Sequence, residues 1–184
     1  MSLADAFRYD GKRVLVVGGA TGMGRAAAEL LADLGAEVTV MDRAEVDLPG
    51  ATFVRVDLSD RASIDAALDA TEGEFHALFS CAGVADGTPG IERINFVGHR
   101  HMIDRMLEKN MLPRGSAICF ISSTAGIGWE GSLEQLTQLL EIRDFDAAAK
   151  WFVDNNKTTY LWTKQAVGAY VAREALPLLR RGIR

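Results

Sequence analysis

Tyr160 and Lys164 are the pair of side chains in this sequence best suited to acid–base chemistry. They stand four positions apart in the stretch YLWTK. Residues four apart lie on one face of a helix, so we expect the Lys164 ammonium beside the Tyr160 phenol. A neighbouring cation stabilises the phenolate, which predicts that Tyr160 both donates and accepts a proton at near-neutral pH.

A second chemical signal is the glycine-rich stretch VVGGATGMGR, in which Gly18, Gly22 and Gly24 follow an apolar run. Glycines between a strand and a helix allow a tight turn and let backbone N–H groups approach a pyrophosphate at the helix N-terminus. Asp42 ends the next apolar run, where a carboxylate can accept hydrogen bonds from ribose hydroxyls. The combination predicts a dinucleotide site; an ordinary glycine turn with a surface aspartate is the competing interpretation.

Hydroxyl groups follow a later apolar run, in the stretch ISSTAG that contains Ser122 and Ser123. If that run is a strand, these hydroxyls lie at its carboxyl end, where parallel sheets bind their ligands. We expect a structural role for Ser122.

The elements that must position these residues alternate between strand and helix. Apolar and β-branched runs predict strands over 14–17, 37–41, 52–56, 76–81 and 117–121. Helical spacing predicts helices over 25–34 and 59–68, with Gly35 as a helix stop. This alternation predicts an α/β fold: one doubly wound parallel sheet, of Rossmann type, in a single domain.

Composition excludes several function classes. The 184 residues carry a net charge of −5 without long runs of one sign, so we expect no nucleic-acid partner. No segment reads as a signal peptide or a membrane span, which predicts a soluble, cytoplasmic protein. We expect Cys81 and Cys119 to be small buried thiols and His76, His99 and His101 to be surface residues, with no metal site.

In order along the chain, these motifs resemble the short-chain dehydrogenase/reductase family. The glycine motif matches 17–24 with Val17 in place of the usual threonine, and the Asn-Asn-Ala-Gly motif matches Ser80-Cys81-Ala82-Gly83. The resemblance implies a Ser-Tyr-Lys-Asn catalytic set formed by Ser123, Tyr160, Lys164 and Asn95. It implies cofactor contacts at Gly18, Thr21, Gly22, Met23, Gly24, Asp42, Arg43, Asp57, Leu58, Cys81, Ala82, Gly83, Tyr160 and Lys164.

By this resemblance the protein transfers a hydride between a nicotinamide cofactor and an alcohol or carbonyl compound. Ser123 would bind the substrate oxygen, Tyr160 would pass the proton, Lys164 would bind the nicotinamide ribose, and Asn95 would hold a water that links Lys164 to solvent. Asp42 favours NAD(H), because its carboxylate repels a 2′-phosphate, although Arg43 is compatible with NADP. A homodimer or homotetramer is also implied.

Ser123 and Tyr160 are 37 positions apart, farther than in most members of the family. The intervening segment, 124–159, has apolar residues at helical spacing, and Ser132 with Gln135 resembles a capping box. We therefore predict a helical insertion beside the active site that walls the substrate pocket, with Trp129, Trp151 or Phe152 in contact with substrate. Such an insertion resembles the branch with 3α-hydroxysteroid and coniferyl alcohol dehydrogenases.

A catalytically silent NAD(P)-binding sensor or regulatory module of the same fold is the alternative function. The sequence has no Gly-x-Ser-x-Gly elbow and no Gly-Lys-[Ser/Thr] after the glycines, which argues against a hydrolase and an NTPase. In this family the last residues, 181–184, lead into a sixth strand. We therefore expect strand order 3-2-1-4-5 with β5 as an apolar edge, C-terminal strands missing from the chain, and a longer polypeptide in the active protein.

Overall fold

A computed structural model describes residues 4–184. Five parallel strands form one sheet in the order β3-β2-β1-β4-β5, as predicted. The strands are β1 (Arg13–Val17), β2 (Glu37–Asp42), β3 (Thr52–Arg55), β4 (Ala77–Ser80) and β5 (Ala117–Phe120). The helices are α1 (Gly22–Asp33), α2 (Arg61–Asp69), α3 (Gly98–Glu108), α4 (Leu133–Glu141), α5 (Phe145–Asp154) and α6 (Tyr160–Arg180). The chain therefore has the α/β architecture that its alternating pattern indicates.

Strand β1 lies at the centre of the sheet and separates two apolar cores. Because successive side chains of a strand point to opposite faces, Leu15 and Val17 join one core while Val14 and Val16 join the other. All four are fully buried. A strand that is apolar on both faces is typical of a parallel sheet covered by helices on each side. The carboxyl ends of β1, β2 and β4 consequently meet at one edge.

The helix starts depend on local capping. Asp60 caps α2 and Asp144 caps α5, each by accepting a backbone N–H of the first turn, and Thr159 caps α6 in the same way. The predicted capping box at Ser132 is wrong. Ser132 ends a 3-10 turn, Trp129–Ser132, and its side chain makes no capping hydrogen bond to α4.

The segment 124–159 is mainly helical, as predicted, but its apolar stripe packs into the core. Phe152 of α5 is fully buried, and its ring lies edge-on to Phe96 at 6.3 Å. Phe96 in turn contacts Tyr170 of α6 at 6.0 Å. These aromatic contacts attach the segment 124–159 to the body of the fold.

Two expectations are wrong: that the three histidines are surface residues, and that the two cysteines are buried. His99 is only 1% exposed, because it lies on the inner face of α3; His101 is mostly buried and its Nε2 lies 3.0 Å from Asp65 Oδ1. His76 is half-buried and accepts the Arg13 N–H. Cys119 is exposed because β5 is the last strand of the sheet, while Cys81 is half-buried.

The outer edge of β5 forms backbone hydrogen bonds with Arg184. Arg184 donates its N–H to the Ser116 carbonyl at 3.0 Å and accepts the Ile118 N–H at 2.6 Å. These two hydrogen bonds have the pattern of a parallel pair. Within residues 4–184, no helix is both long and apolar enough to cross a membrane, and no three His, Cys, Asp or Glu side chains form a metal-binding group.

We predict that Phe152→Ala lowers the free energy of unfolding by about 3–5 kcal/mol, because it leaves a cavity between α5 and the Phe96 ring. Val153→Ala is the matched control, because Val153 is the next residue on α5 and its side chain is 57% exposed. This variant should change the free energy of unfolding by no more than about 0.5 kcal/mol. Urea unfolding measures both. Equal, small losses for the two variants would contradict the packing of α5 into the core.

Candidate active site

The first cavity, of about 410 Å³, opens at the carboxyl ends of β1, β2 and β4. It is lined by every residue predicted to bind the cofactor except Tyr160 and Lys164: Gly18, Thr21, Gly22, Met23, Gly24, Asp42, Arg43, Asp57, Leu58, Cys81, Ala82 and Gly83. The structure thus brings together residues from four separate connections, those that follow β1, β2, β3 and β4. Apolar side chains that the sequence reasoning missed complete the lining: Val17, Met41, Val56, Val84 and Ile94.

The glycine turn between β1 and α1 has no space for side chains at two positions. Gly18 has a φ of +86°, and a Cβ there would overlap the Ala82 backbone. A Cβ at Gly24 would overlap the Gly18 carbonyl. Thr21 precedes α1, and its side chain makes no capping hydrogen bond. The first-turn residues Gly22, Met23 and Gly24 line the cavity, so their N–H groups lie at its edge without a cap from Thr21. A backbone cradle at a helix N-terminus suits a phosphate.

Two carboxylates on the first cavity are held by backbone amides. Asp42 accepts from the Ala20 and Ala44 N–H groups, each at 2.9 Å. Asp57 accepts from the Ser59 hydroxyl at 2.7 Å and from its N–H at 2.9 Å. The Ser59 hydrogen bonds, together with the Arg43 guanidinium, hold the pKa of Asp57 below its usual range. Both carboxylates keep lone pairs that a ligand hydroxyl or amine can use.

A second cavity, of about 670 Å³, adjoins the first and shares Met23, Cys81, Gly83 and Val84 with it. Its remaining lining comes from the loop after β4, the end of β5 and the first turns of α6: Ala85, Asp86, Ile121, Ala125, Tyr160, Leu161 and Lys164. A ligand in this cavity would lie next to one bound in the first.

Tyr160 and Lys164 lie on one face of α6, as their spacing predicts. The Lys164 Nζ atom is 5.5 Å from the centre of the Tyr160 ring and donates to the Ile121 carbonyl at 2.7 Å. Burial lowers the pKa of Lys164, and the interaction with Tyr160 opposes that shift. The contact with Ile121 anchors the ammonium to the end of β5.

Asn95 lies in a π-helical turn, Arg93–Val97, directly before α3. Its side chain is buried, accepts the Val84 N–H at 2.7 Å and donates to the Val84 carbonyl at 3.0 Å. Its amide nitrogen also lies 3.5 Å from the Thr163 hydroxyl. Turns of this kind are frequent at functional sites. Here the turn lets Asn95 fix Val84, which lines both cavities.

Ser123 follows β5 and begins a 3-10 turn, Thr124–Gly126, by accepting the Ala125 N–H at 3.2 Å. The turn packs closely on α6, since a Cβ on Gly126 would lie 2.9 Å from the Lys164 carbonyl oxygen. Ser123 lines neither cavity, although Ile121 and Ala125 on either side of it line the second. Ser122 is exposed.

Two further residues at the site were missed by the sequence reasoning. Asp86 accepts the Tyr160 N–H at 2.7 Å, and His99 Nε2 lies 2.9 Å from the Ala82 carbonyl. Burial, with a smaller contribution from Lys164, lowers the pKa of His99 to about 4. The neutral ring must carry its proton on Nε2, because a carbonyl only accepts. Asp86 and Tyr160 are 74 positions apart in the sequence, so no local pattern could have indicated this contact.

The aromatic residues expected to contact substrate lie elsewhere. Trp129 packs over Gly168 of α6, and Trp151 packs edge-on to Phe152 and Trp162. Phe152 is in the core. None of the three lines the second cavity, to which the segment 124–159 contributes Ala125 alone among the described lining residues. These three aromatic side chains of the segment 124–159 therefore pack against α6 and the core, and do not face the second cavity.

Comparisons with known proteins agree with this architecture. The family model for short chain dehydrogenase matches residues 12–132, a range that ends before Tyr160 and Lys164. Short-chain dehydrogenase reductase 5 of Arabidopsis thaliana is 31% identical over 153 residues, which are 67% of this chain and 58% of that protein. Coniferyl-alcohol dehydrogenase of a Pseudomonas species is 28% identical over 147 residues, which are 78% of this chain and 56% of that protein.

Solved structures share the fold. A 3-alpha-hydroxysteroid dehydrogenase from another Pseudomonas strain, complexed with NADH, superposes with a TM-score of 0.74 at 24% identity, covering 94% of this chain and 69% of that one. The chain spans less than three fifths of the length of the two curated relatives. The family model matches most of this chain, and the strand order and the glycine cradle agree with it. The chain therefore belongs to the short-chain dehydrogenase family.

Proposed function

We propose that this protein is an NAD-dependent oxidoreductase that interconverts a secondary alcohol and a ketone, or a primary alcohol and an aldehyde. Membership of the family supports an NAD(P)-dependent dehydrogenase or reductase; the substrate type and the residue roles are our proposal. The observation that carries it is the juxtaposition of two cavities, one with a phosphate-type backbone cradle and one with Tyr160 and Lys164.

The first cavity fits a nicotinamide dinucleotide. Gly18 and Gly24 leave room where a Cβ would fill the cradle, and the first-turn amides of α1 would bind the pyrophosphate. Asp42 would accept from the adenosine ribose hydroxyls, and Asp57 with Leu58 would contact the adenine. The cofactor would supply the hydride acceptor or donor. Cys81, Ala82 and Gly83 lie between the two cavities and would hold its nicotinamide end.

In the second cavity Tyr160 would exchange the proton with the substrate oxygen. The Lys164 ammonium, which lies 5.5 Å from the centre of the Tyr160 ring, would bind the nicotinamide ribose. The Ser123 hydroxyl accepts the Ala125 N–H and keeps its own proton for the substrate oxygen. Asn95 would keep the Val84 loop in place and hold a water near Lys164.

One observation favours the alternative, a silent NAD(P)-binding sensor: Ser123 lines neither cavity. A screen for NADH formation with secondary alcohols, sterols and aryl alcohols decides between the two. Turnover of any of them supports the enzyme, whereas tight cofactor binding without turnover supports the sensor.

The partner we propose is a small molecule, and light scattering would test the proposed homodimer or homotetramer.

Tyr160→Phe should reduce turnover by about a hundredfold or more, because it removes the proton that the reaction exchanges while keeping the ring. Binding of NADH, measured by fluorescence titration, should be almost unchanged. Tyr9→Phe, which alters a tyrosine packed against the other core, is the control and should retain activity. Near-normal turnover of Tyr160→Phe would refute the proton-transfer role.

NADH should bind more tightly than NADPH, because the Asp42 carboxylate would face the 2′-position of the ribose. Asp42→Asn keeps an acceptor for the Ala20 N–H but removes the charge. It should narrow the difference in Kd between the cofactors by at least about tenfold. Asp47→Asn, an exposed control nearby, should leave the difference intact. Tighter binding of NADPH by the unaltered protein would overturn the NAD assignment.

A further inference from the structure

The second cavity is mainly apolar but carries two charged side chains among its described lining. Met23, Val84, Ala85, Ile121, Ala125 and Leu161 supply the apolar surface, while Asp86 and Lys164 supply the charges. An apolar cavity with few polar groups binds an apolar body and orients it through those groups. The positions of the two charges therefore determine which substituents the cavity tolerates.

Asp86 is the exposed charge of the pair. It lies in the loop after β4, and its Oδ1 accepts the Tyr160 N–H at the first position of α6. A carboxylate at a helix N-terminus is favoured by the helix dipole. Among residues 4–184 no side chain forms an ion pair with Asp86 and no donor reaches its second oxygen, Oδ2. That oxygen is consequently free to accept from a ligand.

Lys164 does not offset this negative charge at the cavity surface. Its side chain is almost fully buried, and its ammonium donates to the Ile121 carbonyl. It lies one helical turn beyond Tyr160, which is about 6 Å farther along α6 from the Asp86 contact. In the proposed reaction it also binds the cofactor. A ligand in the second cavity therefore meets, at the Tyr160 end, a carboxylate that has no ion-pair partner within the described part of the chain.

We propose that Asp86 selects substrates by charge. The cavity favours apolar alcohols and carbonyl compounds that are neutral or carry a cationic, hydrogen-bond-donating group, and it disfavours those with a carboxylate or phosphate. This inference rests on the proposed function for the identity of the reacting group. Its physical basis is the exposed carboxylate of Asp86 next to the apolar lining, with no ion-pair partner in residues 4–184.

Three para-substituted benzyl alcohols test this: the aminomethyl compound, the carboxamide and the carboxylate, which are a cation, a neutral molecule and an anion. The unaltered protein should oxidise them with kcat/KM falling in that order. Asp86→Asn keeps a side-chain carbonyl for the Tyr160 N–H and removes the charge, so it should raise the anion-to-neutral ratio by about three- to tenfold at low salt. Glu141→Gln, at an exposed position on α4, makes the same change in net charge and should leave the ratio unchanged.

Saturation-transfer NMR of the same three compounds reads their binding without turnover. One outcome is that the compounds bind in the order cation, neutral, anion, with smaller differences in affinity in Asp86→Asn, while none is oxidised. In that case the proposed function fails and charge selection by Asp86 stands. An anion-to-neutral ratio that changes less than twofold in Asp86→Asn, in turnover or in binding where turnover is absent, overturns the inference. An equal change in Glu141→Gln also overturns it, because the effect would then come from net charge.

Discussion

The close approach of the turn after β1 to the end of β4 is the constraint on which both cavities depend. Gly18 lies so near the Ala82 backbone that a side chain at position 18 would displace it. Ala82 is also bound on both sides: its N–H donates to the Val17 carbonyl, and its own carbonyl accepts from His99. Because this junction forms the wall between the cavities, its geometry determines how a ligand in one meets a ligand in the other.

Three polar contacts fix the elements around that junction: the loop after β4, the end of β5 and the start of α6. Asn95 holds Val84, Asp86 holds the first amide of α6, and Lys164 holds the Ile121 carbonyl at the end of β5. A single hydrogen bond contributes only about 1 kcal/mol to stability. Their importance is geometric, since together they orient the face of α6 that carries Tyr160 toward both the β4 loop and the end of β5.

The segment 124–159 shows how an apolar stripe can be interpreted in two ways. Its spacing predicts helices, and α4 and α5 are present. The apolar side chains that could have formed a substrate wall instead pack against the rest of the fold, with Phe152 against Phe96 and Trp129 over Gly168. The segment 124–159 thus packs against α6, and it contributes only Ala125 to the described lining of the second cavity.

By itself, the sequence determined the features that depend on local spacing: the five strands, the glycine turn, and the shared face of Tyr160 and Lys164. These follow from residue periodicity and from the rule that parallel strands present their carboxyl ends at one edge. Only the tertiary structure decided which polar groups meet across the fold. Asp86 meets the Tyr160 amide and His99 is buried against Ala82, because contacts between distant segments depend on how helices pack on the sheet, which no local pattern encodes. For the same reason the exposure of Cys119 depends on the position of β5 at the edge of the sheet, since that strand is apolar enough in sequence to have been central.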